Sequence, residues 1–311
     1  MAGGQTNRGA RILRNRLPVA IAGLVIIIVI ALGWKACLAT HSPKSGADPN
    51  SPNQSASTRP VLSRLDGRPA IGNIKRSQRD LAAREFLALK TRAEGGDAVA
   101  QRQLAFRYGN CIVVNVGPQR FLATYDSIAR LAKDPTSAKL LPQVARLVAE
   151  DCAVVDDGAV IPGEAFTLWL EQAAKHGDLA AQLKLRIHTF DLPQGDSLRS
   201  FVDQVVASGD PAAMFVLGDA VSATKSNQGL GRYTDVAQGS VAGYAWYIAA
   251  CRQGLDCGPQ SRIMYGTCLA MGTCASTDYE TFVRQHLLTG EQGALLDEKM
   301  AEIAALLNER R

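Results

Sequence analysis

Three segments of the chain, "GDAVAQRQL" at 96–104, "GDLAAQLKL" at 177–185 and "GDPAAMFVL" at 209–217, follow one scheme. Gly-Asp opens each, an Ala lies four residues after the Gly, and a Leu lies eight after it. The glycine can take the left-handed backbone that ends one helix. The aspartate can accept the free N–H groups that begin the next. Ala and Leu spaced four apart share one helix face, the small one allowing close approach and the large one filling a core. A chain punctuated in this way is expected to be all-α and built from helical hairpins.

The first helix of each pair is legible upstream, in "RDLAAREFLALKTRAEG", "GEAFTLWLEQAAKHG" and "DSLRSFVDQVVASG". The glycines are spaced by 81 and then 32 residues, so at least one further unit lies between the first two. "FLATYDSIARLAKDPTSAKLLPQVARLVAEDCA" supplies a helical hairpin there, turning at Asp134-Pro135. "GYAWYIAACRQGLDCG" reads as a fourth, altered copy, followed by a helix through Ala270. After residue 275, "DYETFVRQHLLTGEQGALLDEKMAEIAALLNERR" reads as two more helices. The last is expected to carry Glu and Lys on a solvent face and basic residues at its C-terminus, where they suit the helix dipole.

The unit resembles a Sel1-like repeat, the tetratricopeptide-related helical hairpin. "AGYAWYIAACRQG" is similar to that family's run of Ala, an aromatic pair and Ala-Ala before a closing Gly, at Ala245, Trp246, Tyr247, Ala249, Ala250 and Gly254. Gly96-Asp97, Gly177-Asp178 and Gly209-Asp210 are similar to its inter-repeat turn. The resemblance covers residues 80 to 275. It implies an α-solenoid of stacked hairpins with a curved surface. It also implies a non-catalytic function, holding a partner protein or peptide.

The amino-terminal quarter sets the address. Residues 17–34, "LPVAIAGLVIIIVIALGW", carry no charge, and at ~1.5 Å per residue they make a helix of about 27 Å, close to the hydrocarbon thickness of a bilayer. Pro18 falls in the first turn and Trp34 at the far boundary, where an interfacial aromatic anchors a span. Arg8, Arg11, Arg14 and Arg16 precede the run, while only Lys35 and Lys44 follow closely. Positive residues stay cytoplasmic, so the basic tail 1–16 is expected inside, 17–38 as an uncleaved signal anchor, with a signal peptide cut after Ala39 as the competing reading, and the rest outside. That outer compartment is a periplasm in a Gram-negative source. Residues 39–75, rich in Ser, Pro, Asn and Gly, read as a disordered tether, and 76–311 as the folded extracytoplasmic domain.

Charge follows the same division. The chain is +5 overall, but residues 1–75 hold ten Lys/Arg against two Asp, leaving 24 basic and 27 acidic side chains in the rest. The basic balance belongs to the anchor and tether, and nothing in the domain recommends nucleic-acid binding, which needs a clustered basic face.

Six cysteines lie beyond the anchor: Cys111, Cys152, Cys251, Cys257, Cys268 and Cys274. An even count in an oxidising compartment reads first as three disulfides, with fifteen possible pairings. The last four are separated by five, ten and five residues, not the short gaps common in structural zinc sites, and no C-x-x-C redox motif occurs. Cys251 sits in the last turn of one helix with Cys257 just past its end, and Cys268 with Cys274 repeats that arrangement. Local pairs at both places leave Cys111 with Cys152. The crossed pairing of Cys251 with Cys268 and Cys257 with Cys274 requires helices offset by more than a turn.

No catalytic motif stands out: there is no H-E-x-x-H, G-x-S-x-G, phosphate-binding loop or dinucleotide fingerprint, and no cofactor is expected. Aromatics are the functional lead. Tyr244, Trp246 and Tyr247 are too close in sequence to share one helix face, so at least one is expected to point away from the buried side. With Tyr265 they are the candidate anchors for a bound partner in the cell envelope. The competing reading is an envelope module that binds or cleaves glycan, marked by two facing carboxylates or stacked aromatics in a groove.

Overall fold

Each Gly-Asp turn performs both halves of its expected task. Gly96, Gly177 and Gly209 have φ of 89°, 90° and 62°, in the left-handed region. The aspartate after each caps the next helix, Asp97 accepting from the Ala100 N–H at 3.0 Å, Asp178 from Ala181 at 2.7 Å and Asp210 from Ala212 at 2.9 Å. In the first two turns the aspartate N–H also bonds the carbonyl five residues back, at 3.1 and 3.0 Å, closing the preceding helix.

The structure, a computed structural model, describes residues 71–224 and 228–309, with side chains from residue 78. The expected tail 1–16, the span at 17–38 and most of the tether lie outside the described residues. The first helix begins at Ile71, five residues inside the stretch read as tether. Among the described residues there are twelve α-helices and no strand, and no helix is long and apolar enough to cross a membrane.

The helices pack in sequential pairs. α1 (Ile71–Glu94) lies on α2 (Ala98–Val116), α3 (Pro118–Leu131) on α4 (Pro135–Cys152), α5 (Ala165–Lys175) on α6 (Leu179–His188), and α7 (Gly195–Ser208) on α8 (Pro211–Ala223). Between pairs, α2 packs on α5, α6 on α8, and α8 on α9 (Ala242–Arg252). The α3–α4 hairpin stands where the long spacing between glycines required a unit. Asp134 caps α4 through the Thr136 and Ser137 N–H groups, and Pro135 occupies the first helical position.

The shared Ala is fully buried in all three units, at Ala100, Ala181 and Ala213. The shared Leu is fully buried at Leu104 and Leu217 but only half-buried at Leu185. α6 is flanked by α5 and α8, so Leu183 turns into the large core on the α8 side while Leu185 packs against the smaller apolar cluster shared with α5. A buried ion pair joins the first two units: Arg102 Nε lies 2.9 Å from both carboxylate oxygens of Asp178, the residue that caps α6. After α4, Asp156 and Asp157 adopt left-handed backbone in a short turn. Asp156 is held there by Lys90 Nζ at 2.6 Å and the Tyr108 hydroxyl at 2.8 Å.

α8 and α9 cross at glycines. A Cβ on Gly243 would collide with Ser222 Oγ and sit 2.9 Å from the Gly218 carbonyl oxygen, so only hydrogen fits. Beyond this crossing the order of pairs breaks. α10 (Arg262–Met271) does not return along α9 as a fourth hairpin would, but packs on α4. Cys257 is tied back to Cys251 at the end of α9, and its carbonyl accepts from Tyr279 N–H at 3.0 Å, so the chain leaves α9 sideways before Ser261 caps α10.

The last segment forms α11 (Tyr279–Phe282), which runs into a π turn at Val283–Leu287, and then α12 (Gly290–Glu309). α12 covers α9 and touches α7. Its lysine is not on a solvent face as expected: Lys299 is buried and its Nζ bonds the Asp235 carbonyl, because the loop before α9 crosses over that side of the helix.

Candidate functional site

The sideways exit of α10 leaves a cleft of about 500 Å³ between it and the α3–α4 hairpin. Phe121 and Tyr125, one turn apart on α3, form one wall, with ring centroids 4.9 Å apart in an edge-to-face arrangement. Tyr265 and Leu269, one turn apart on α10, form the other, and Leu147, Val148 and Cys152 of α4 lie between them. Burial raises the Tyr125 hydroxyl above the ordinary tyrosine range. Burial, and to a smaller degree the Asp151 charge, does the same for Tyr265. Both phenols therefore stay neutral near pH 7 and can donate or accept hydrogen bonds.

The polar side of the cleft is organised by Asp151. Arg107, itself buried, gives Asp151 two bonds, from Nη1 at 2.5 Å and Nη2 at 2.7 Å. Arg262, at the first turn of α10, stands 3.4 Å away from the same carboxylate with its side chain 64% exposed. Asn110 and Gln260 complete the polar lining.

A second cleft of about 350 Å³ lies across α2, lined by Phe106, Gly109, Ile112, Phe166 and His188. Asn110 lines both clefts. Gly109 makes room for Phe166, whose ring would stand 2.8 Å from any Cβ at that position. Phe106 and Phe166 stack at 6.3 Å, and His188 meets the edge of Phe166 at 5.0 Å while its Nε2 lies 3.2 Å from Thr167 Oγ1.

Of the aromatic candidates from the sequence, Tyr265 lines the main cleft. Trp246 does not serve as an exposed anchor: it is fully buried, with Nε1 donating to the Val236 carbonyl at 2.9 Å, because α9 is enclosed by α8, α12 and the loop before it. Tyr244 and Tyr247 do face another side of α9, but both are half-buried there in an aromatic group with Phe215 and Tyr279. The Tyr247 hydroxyl donates to Asp219 at 2.6 Å, and Lys184 bonds the other oxygen of that carboxylate at 2.7 Å. Tyr247 is thus tied into the interior.

The cysteines pair as Cys111–Cys152, Cys251–Cys257 and Cys268–Cys274, with Cα separations of 5.2, 5.6 and 4.5 Å, the connectivity favoured by their places at helix ends. With every one of these sulfurs bonded to another, none is available to a zinc ion, and among the described residues no cluster of three His, Cys, Asp or Glu could hold a metal. Three disulfides mark an oxidising, extracytoplasmic compartment. Two of them frame the site: Cys152 lines the cleft, and Cys268–Cys274 holds the end of α10 against Ala129, Leu141 and Val144.

Sequence reasoning missed Phe121, Tyr125, Asn110, Asp151, Gln260 and Arg262. The one-turn spacing of Phe121 and Tyr125 marks a helix face but not its partner. No local pattern announces that α10 joins a hairpin more than a hundred residues upstream. Against known proteins, the chain matches no family model, no curated protein and no solved structure.

Proposed function

We propose that the protein is a single-pass, N-in membrane protein whose tether carries a Sel1-like helical-repeat domain outside the membrane, where it holds a partner protein or peptide without catalysis. The observation that carries this reading is the cleft between α3–α4 and α10, whose walls are aromatic and whose rim is charged. Anchor sites of protein interfaces have this composition: tyrosine and arginine over an apolar floor, closed off from water by their neighbours. Among the described residues, Asp151 is the only carboxylate lining the cleft; it already accepts from Arg107 and faces Arg262, an arrangement suited to recognition more than to proton transfer. Sequential helix pairs joined by left-handed Gly and capping Asp support the repeat assignment.

Photo-crosslinking in intact cells tests the reading. A photoreactive residue replacing Tyr265 is expected to give a protein adduct that disappears when Leu147→Glu places a charge in the cleft. The same residue at Leu87, exposed on α1, is expected to give none. Equal adducts at both positions, or none at Tyr265, would overturn the cleft as the docking site.

A further inference from the structure

We infer that the partner presents an extended segment with an acidic side chain at Arg262, its main chain against Asn110, and a large apolar side chain beside Phe166. This rests on the docking role proposed above and specifies what docks. The acidic preference follows from the charges in the cleft. Asp151 receives both short bonds from Arg107 and a longer contact from Arg262, so two guanidinium groups surround one carboxylate. Arg262 is the surplus cation, largely exposed, and it lines the same cleft as Tyr265. An incoming carboxylate gains a charge-assisted bond there without displacing the Arg107–Asp151 pair.

The extended form follows from Asn110. Its side chain is exposed on the ridge where the two clefts meet. A primary amide offers a donor and an acceptor together, the pair that an extended peptide unit presents. The apolar preference follows from the second cleft, which Phe106, Ile112 and Phe166 line, with the Phe166 ring seated against Gly109.

The test presents a positional-scanning library of extended peptides to the full chain in detergent, with its disulfides oxidised. Selection of Asp or Glu at one position and Leu, Ile or Phe at another is expected. Arg262→Ala should cost roughly tenfold in affinity for the acidic peptides and far less for neutral counterparts, with Arg262→Lys restoring part of the loss. Asn110→Ala should weaken all bound peptides alike. Selection without an acidic preference, or one that survives Arg262→Ala, overturns the inference. Binding of acidic glycan fragments through Arg262, with no peptide bound, overturns it too. If the library fails while the Tyr265 crosslink still yields a protein adduct, the docking role stands and only the extended acidic segment falls; if both fail, both fall.

Discussion

Ser137 links the cleft's floor, α4, to the segment that ends its α10 wall through a single hydroxyl. It is 2% exposed, donates to Asp134 Oδ2 at 2.7 Å, and accepts the Cys274 N–H at 3.0 Å, so the cap of α4 and the end of α10 share one group. Replacing it with alanine leaves a buried N–H without an acceptor, which costs about 1–3 kcal/mol. The same hydroxyl is the largest cause holding the Asp134 carboxyl below its usual range, ahead of the Ser137 N–H. A depressed carboxyl contributes stability above the unfolded value of about 3.9 and loses it as pH falls through the folded value. Ser137→Ala is therefore expected to be clearly less stable than wild type near neutrality. The gap should narrow as pH falls below about 4, as read by urea unfolding across that range.

At the scale of elements, the disulfides differ in what they hold. Cys111–Cys152 spans 41 residues and ties α2 to the end of α4, enclosing the whole α3–α4 hairpin, whereas the other two each span six. The chain-entropy model gives about 4 kcal/mol for the long loop and about 2 kcal/mol for a short one. Cys111→Ser with Cys152→Ser should lower the unfolding free energy by about twice as much as Cys251→Ser with Cys257→Ser. It should also weaken peptide binding, since α4 is the floor of the cleft. Equal losses from the two double variants would show that the hairpin does not depend on the long link.

What the sequence discloses stops at this scale. Gly-Asp followed by Ala and Leu is a local code, because one turn's backbone and cap are satisfied by residues within a few positions. Helix ends and hairpins could therefore be read from spacing, which favoured the observed cysteine pairing without fixing it. Leu185, Trp246 and Lys299 depart from expectation for a common reason: how deeply a side chain is buried depends on how many neighbours its helix acquires, and α6, α9 and α12 each meet more than one. The cleft depends on the same non-local fact, the choice of α10 to pack on α4. Of its lining residues only Tyr265 was singled out in advance, as one of several aromatics, and the Cys152 that floors it was singled out only as a staple.

For the molecule as a whole, the departure of α10 turns a file of paired helices into one with a cleft, joining residues 110–152 to residues 260–274. Exported topology and cleft depend on the same chemistry, since the pairing at 251–257 directs the chain away from α9 and the pairing at 268–274 fixes α10 where it lands. The most direct test is disulfide mapping by mass spectrometry of the full chain, taken from cells under thiol-blocking conditions. The account predicts three linked peptide pairs, Cys111–Cys152, Cys251–Cys257 and Cys268–Cys274, with no blocked thiol among the six. Six blocked thiols would contradict the extracytoplasmic domain, and linkage of Cys251 to Cys268 and Cys257 to Cys274 would contradict the placement of α10 and with it the cleft.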